Sequence, residues 1–130
     1  MSTESLICLY GPSACGKTRL LYGMEEALDG AGVLRTGTEV IIREMIDSLR
    51  DAAMNDFRRK YLEVENLLVD NLWVLARWPA AAEEICRLLR ERQESGRLTV
   101  VASDMPEQVW CDRDRNVAQF LAGGKSVVLG

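Results

Sequence analysis

The segment Gly11-Pro12-Ser13-Ala14-Cys15-Gly16-Lys17-Thr18 has glycines five apart, followed at once by a lysine and a threonine. That spacing suits the capture of a polyphosphate. Phosphate oxygens need donors at close range, and glycines let a tight loop turn its backbone N–H groups inward. A helix starting at Lys17 would add its free amides and the positive end of its dipole. Lys17 would then bring a cation to the β- and γ-phosphates, and the Thr18 hydroxyl could ligate Mg²⁺. Cys15, beside a helix N-terminus and Lys17, is in a setting that lowers a thiol pKa, although it can equally be an uncharged filler of the loop.

A metal-bound phosphate also needs a carboxylate. Asp70 closes the apolar run Leu67-Leu68-Val69 and fits a Walker B strand end, where it would hold the metal. Asp104 closes the run Leu98 to Ser103 and would lie beside Asp70, facing the γ-phosphate or a water. Asn71 occupies the position where many hydrolytic P-loop enzymes have a second acid. An amide cannot accept a proton as a base, and loss of general-base help typically costs about 10²–10⁴ in rate. The chain contains no His, the commonest general base. Binding should therefore outlast turnover. Arg58, Arg59 and Lys60, flanked by Phe57 and Tyr61, are a candidate nucleic-acid contact, with a solvated helix face as the plainer reading. Trp73 and Trp78 should pack.

These residues need a scaffold that brings strand ends together. Leu6 to Tyr10 and Asn66 to Asp70 read as buried strands, and Val33 to Thr36, Leu98 to Asp104 and Ser126 to Leu129 as further strands. Helical patterns run from Lys17 to Leu28, Glu39 to Asp51, Asn55 to Leu62 and Pro79 to Glu94, with Pro79 at a favoured first helical position. In the second of these, Val40, Ile41, Met45, Ile46 and Leu49 fall on one side. A weakly helical region follows Pro106. Strands alternating with helices predict a parallel sheet covered on both faces. Open sheets of this kind bind ligands at the carboxyl ends of their strands.

The 130 residues suit a single domain, and the net charge of −4 argues against a surface devoted to nucleic acid. Four cysteines without a close pair suggest no zinc site, and Cys8 and Cys86 read as buried. With no signal peptide or membrane-length apolar run, cytoplasm is the expected location.

Leu9-Tyr10 ahead of the phosphate loop, Asp56-Phe57-Arg58-Arg59-x-Tyr61, Leu67-Leu68-Val69-Asp70-x-Leu72 and Ser103-Asp104-x-Pro106 together resemble the AAA+ core of DnaA, the bacterial replication initiator. They also resemble DnaA-like regulators and helicase loaders. The resemblance implies a three-layer α/β/α sandwich with a five-stranded parallel sheet of order 5-1-4-3-2, over residues 1–130. It implies ATP or ADP with Mg²⁺ as ligand, Asp70 as the Walker B acid and Asp104 as sensor 1. Glu39 to Tyr61 would be the initiator-specific insertion, linked in the family to filament assembly and single-stranded DNA. DnaA-like proteins or replisome components would be partners. The departures are Asn71, where a second Asp is usual, and Gln119 before Phe120, where an arginine finger is expected. Arg113 and Arg115 lie nearby, but neither matches that position. A helical lid and a DNA-reading domain would follow in an initiator, and the sequence ends at Gly130 before either, as in a fragment or in a small protein reduced to its nucleotide core. The leading expectation is a DnaA-like nucleotide-binding domain in replication initiation or its regulation, with weak or no ATPase activity. Two alternatives are a small P-loop kinase and an interaction module with a vestigial nucleotide site.

Overall fold

The computed structural model describes residues 5–12, 16–105 and 107–129. Five strands form one sheet: β1 Leu6–Tyr10, β2 Val33–Gly37, β3 Asn66–Asp70, β4 Leu98–Ser103 and β5 Lys125–Val128. Their order is β2-β3-β4-β1-β5, and every neighbouring pair is parallel. This is the expected order read from the opposite edge. The helices are α1 Lys17–Ala27, α2 Thr38–Arg50, α3 Met54–Glu63, α4 Pro79–Ser95, α5 Glu107–Arg113 and α6 Arg115–Ala122.

Side chains alternate across a strand, so apolar runs feed two cores at once. In β1, Leu6, Cys8 and Tyr10 join the larger core, while Leu9 enters the smaller one. The larger core receives Ile41 and Met45 from α2, Phe57 and Tyr61 from α3, Ile85 and Leu89 from α4, and Phe120 from α6. Across the sheet, Leu21 of α1 packs on Leu9, Leu68, Val100 and Ala102. Cys8 and Cys86 are buried, as expected.

Three local readings change. The buried side of α2 is Ile41, Ile42 and Met45, whereas Val40, Ile46 and Leu49 are exposed. The helix meets its neighbours along a narrower stripe than the apolar residues could cover. The region after Pro106 resolves into two helices, α6 starting where Asp114 Oδ1 accepts from the backbone N–H groups of Asn116 and Val117. A 3₁₀ turn, Leu72–Arg77, follows β3; it contains Trp73, and Trp78 is its C-cap. Trp73 packs edge-on against Trp110, with ring centroids 4.8 Å apart, but Trp78 is half exposed, contrary to expectation.

Buried Arg92 of α4 fixes the far side of the sheet. Its guanidinium donates to the carbonyls of Tyr61 and Val64 at the end of α3, to Glu65 just before β3, and to Leu98 at the start of β4. Nε donates to Thr99 Oγ1. No helix among the described residues is long and apolar enough to cross a membrane.

Candidate functional site

Because the strands are parallel, the residues that end them share one edge. Gly11 follows β1, Asp70 ends β3, and Asp104 follows β4. In this order β4 lies between β1 and β3, so the phosphate loop and both carboxylates occupy adjacent positions.

At α1, Gly16 has φ 94°, a left-handed conformation that glycine adopts without strain. No side chain caps the first turn of α1, and the unpaired amides of a helix start suit an anion. The Lys17 side chain is almost wholly buried. Its Nζ donates to the carbonyl oxygens of Gly11 and of Pro12, the latter at 2.8 Å, and pairs with Asp104 Oδ1 at 2.8 Å. Thr18 Oγ1 donates to Asp70 Oδ2 at 2.9 Å. The other Asp70 oxygen accepts from the Asn71 N–H at 2.8 Å, which fixes the carboxylate plane. Buried Thr38 donates its hydroxyl to the Asp70 carbonyl at 3.0 Å, tying the start of α2 to the end of β3. Ser13, Ala14 and Cys15, which the sequence assigned to phosphate binding, lie outside the described residues.

Lys17, Thr18, Asp70 and Asp104 line one cavity of about 660 Å³, which continues past the end of β2 to Tyr22 and Arg35. Arg35 stacks on the Tyr22 ring at 3.9 Å and pairs with Glu25 at 2.7 Å; the hydrogen bond to Glu25 raises its pKa, so it stays cationic. Among the described residues, no three His, Cys, Asp or Glu side chains converge on a metal-sized point. One carboxylate beside one hydroxyl, as at Asp70 and Thr18, nevertheless fits Mg²⁺, which completes its octahedron from phosphate oxygens and water.

Each of the basic trio meets a carboxylate, while Arg59 and Lys60 remain exposed. Arg58 pairs with Glu91, Lys60 with Glu44, and Arg59 with Asp56 at 3.7 Å. Gln119 and Arg115 are exposed on α6, and Arg113 lies over the Trp73 ring at 5.7 Å.

The profile of the bacterial DnaA ATPase domain matches residues 4–126, nearly the whole sequence. The chain belongs to that family. It is 31% identical over 130 residues to the chromosomal replication initiator protein DnaA of Bifidobacterium animalis subsp. lactis, a match that covers 90% of this chain and 22% of the initiator. This DnaA-family chain thus spans under a quarter of that relative. Its fold superposes on domain III of Thermotoga maritima DnaA with a TM-score of 0.90 at 23% identity, covering 98% of this chain and 55% of that one. A replication initiator DnaA bound to AMPPCP and single-stranded DNA gives a TM-score of 0.88 at 22% identity, covering 96% of this chain and 40% of that one. Both likenesses establish the AAA+ core fold.

Two site residues were not legible in the sequence. Thr38 and Glu39 open a helix, and only the pairing of β2 with β3 brings them beside Asp70 and Asn71. The order 5-1-4-3-2 carried that signal, since residues just beyond adjacent parallel strands must be neighbours.

Proposed function

We propose that this chain is a nucleotide-binding domain that holds ATP or ADP as the Mg²⁺ complex and serves the initiation of DNA replication or its regulation. The convergence of Lys17, Thr18, Asp70 and Asp104 at one sheet edge carries this reading. On it, the loop from Gly11 to Gly16 and the first turn of α1 wrap the phosphates. Lys17 exchanges its loop carbonyls and Asp104 for phosphate oxygens. Thr18 and Asp70 hold the metal, and Asp104 faces the γ-phosphate. Residues 1–130 act as one nucleotide-binding unit.

Hydrolysis is slow on this reading, because Asn71 cannot serve as a base and Gln119 is not an arginine finger. Membership in the DnaA family, and a related initiator bound to AMPPCP and single-stranded DNA, support nucleotide as ligand and replication as the setting. DnaA-like or replisome partners and a cytoplasmic location follow from the same kinship. Single-stranded DNA contact through Arg58, Arg59 and Lys60 has weaker support, since each already meets a carboxylate of the chain itself.

Amide NMR during titration with MgATP and MgADP tests the reading, with shifts expected across Gly11 to Thr18 and at Asp70. Lys17→Ala removes a charged donor worth about 1.5–3 kcal/mol, so affinity should fall about 10- to 100-fold. Unmoved loop amides at millimolar nucleotide would refute it.

A further inference from the structure

We infer that Arg35, in the edge strand β2, reads the terminal phosphate of the bound nucleotide and so raises the preference of the site for a triphosphate over a diphosphate. The inference rests on the nucleotide-site reading above. Arg35 lines the same cavity as Lys17, Thr18, Asp70 and Asp104, and among the described lining residues it is the second cation after Lys17. The carboxylates of Glu39, Asp70 and Asp104 line that cavity too. A γ-phosphate would bring further negative charge among them, and Mg²⁺ with one lysine balances it only in part.

The fold sets the guanidinium there from two sides. Arg35 pairs with Leu68 in the β2–β3 register, and Leu68 packs on the α1 side of the sheet, so Arg35 faces α1 as well. On α1, Thr18, Tyr22 and Glu25 are four and three residues apart and form one stripe. That stripe begins at the hydroxyl that would hold Mg²⁺ and ends on the partners of Arg35. The Tyr22 ring centre lies 3.9 Å from the guanidinium carbon, and Glu25 Oε1 accepts from Nε at 2.7 Å.

Nε is thus engaged, while the two terminal NH₂ groups carry the paired donors that suit a phosphate. The charge is secured by the Glu25 hydrogen bond first, with Asp70 adding to it. The Arg35 and Glu25 side chains keep 30% and 38% of their surface in solvent. A part-exposed pair of this kind is weak, so Arg35 can exchange Glu25 for a phosphate oxygen while Glu25 returns to water. The loop amides cradle the α- and β-phosphates of either nucleotide. Loss of Arg35 should therefore be felt by the triphosphate alone.

The test displaces a fluorescent ADP derivative from the whole chain with MgATP and, separately, with MgADP. Arg35→Ala should weaken MgATP about tenfold, the low end for a hydrogen bond to a charged group, with MgADP changed less than about twofold. Arg35→Gln, which keeps part of the stem over Tyr22, should show the same selective loss. Glu25→Gln breaks the ion pair but spares the cation, so MgATP affinity should hold or rise. Equal weakening of both nucleotides in Arg35→Ala, or weakening of neither, overturns the inference. So does a Glu25→Gln chain that loses MgATP affinity as Arg35→Ala does, because the pair then only braces α1 against β2. Failure of the wild-type chain to bind nucleotide at all defeats the underlying reading instead.

Discussion

Replacing Arg92 with methionine tests how the end of the sheet opposite the site, where β3 and β4 begin, is held in place. Methionine preserves most of the buried stem but removes every donor. Five acceptors lose a partner: Thr99 Oγ1 and the carbonyls of Tyr61, Val64, Glu65 and Leu98, at distances of 2.6 to 3.3 Å. Tyr61 lies in the last turn of α3, whose carbonyls have no partner within the helix, so a cation there also meets the negative end of the dipole. Desolvation by burial pushes the guanidinium down to about 10, which leaves it protonated at neutral pH. Each buried acceptor left unpaired costs about 1–3 kcal/mol, but water can reach the partly buried carbonyls at the rim. Removing one member of a buried charged network typically costs about 3–5 kcal/mol, and we expect the lower half of that range. For a domain of this size, that lowers Tm by roughly 12–16 °C. Arg92→Lys keeps the charge but lacks the planar fork, so it should recover less than half of the loss. Urea unfolding followed by far-UV circular dichroism gives both numbers. A loss below about 1 kcal/mol for Arg92→Met, or equal losses for both variants, refutes the argument.

Other outcomes follow from the same contacts. Burial pushes the Cys86 thiol up to about 12, above its ordinary 9, so the unfolded chain releases this proton first. The stabilising contribution is therefore full below pH 9 and is lost as pH rises towards 12; Cys86→Ala should flatten that decline by up to about 1.4 kcal/mol per pH unit in urea titrations. Exposed Cys111 should alkylate in the native chain, while Cys8 and Cys86 should react only on unfolding, as mass spectrometry of timed iodoacetamide labelling would show. Asp114→Ala removes the N-cap of α6 and should cost about 1 kcal/mol in the same urea assay.

Where one face or one spacing decides the outcome, the sequence was readable. The run Asn66 to Asp70 is bounded by polar residues and apolar within, and it forms β3 over those residues. Gly16, Lys17 and Thr18 announced the start of α1, because few functions other than phosphate capture need that order of residues. Surface helices were harder. Val40, Ile46 and Leu49 share the chemistry of Ile41 and Met45, and only the width of the contact with neighbouring elements separates exposed from buried. The ion pairs of the Arg58–Lys60 trio were hidden for a related reason: Glu44 and Glu91, far away in sequence, come close only after α2, α3 and α4 pack. Arg92 gave no signal at all, since an arginine late in an amphipathic helix ordinarily faces water.

The carboxylates at the sheet edge differ in what holds them, and the difference bears on function. Asp104 is tied to Lys17 and Asp70 to Thr18, so each already neutralises or satisfies a group that a phosphate or a metal would claim. Nucleotide binding on the proposed reading is an exchange of partners, with no bare buried charge to desolvate beforehand. Glu39 is instead held by a neutral amide, Asn71. Substitutions at Lys17 should therefore move affinity, because its charge is the one the phosphates would claim.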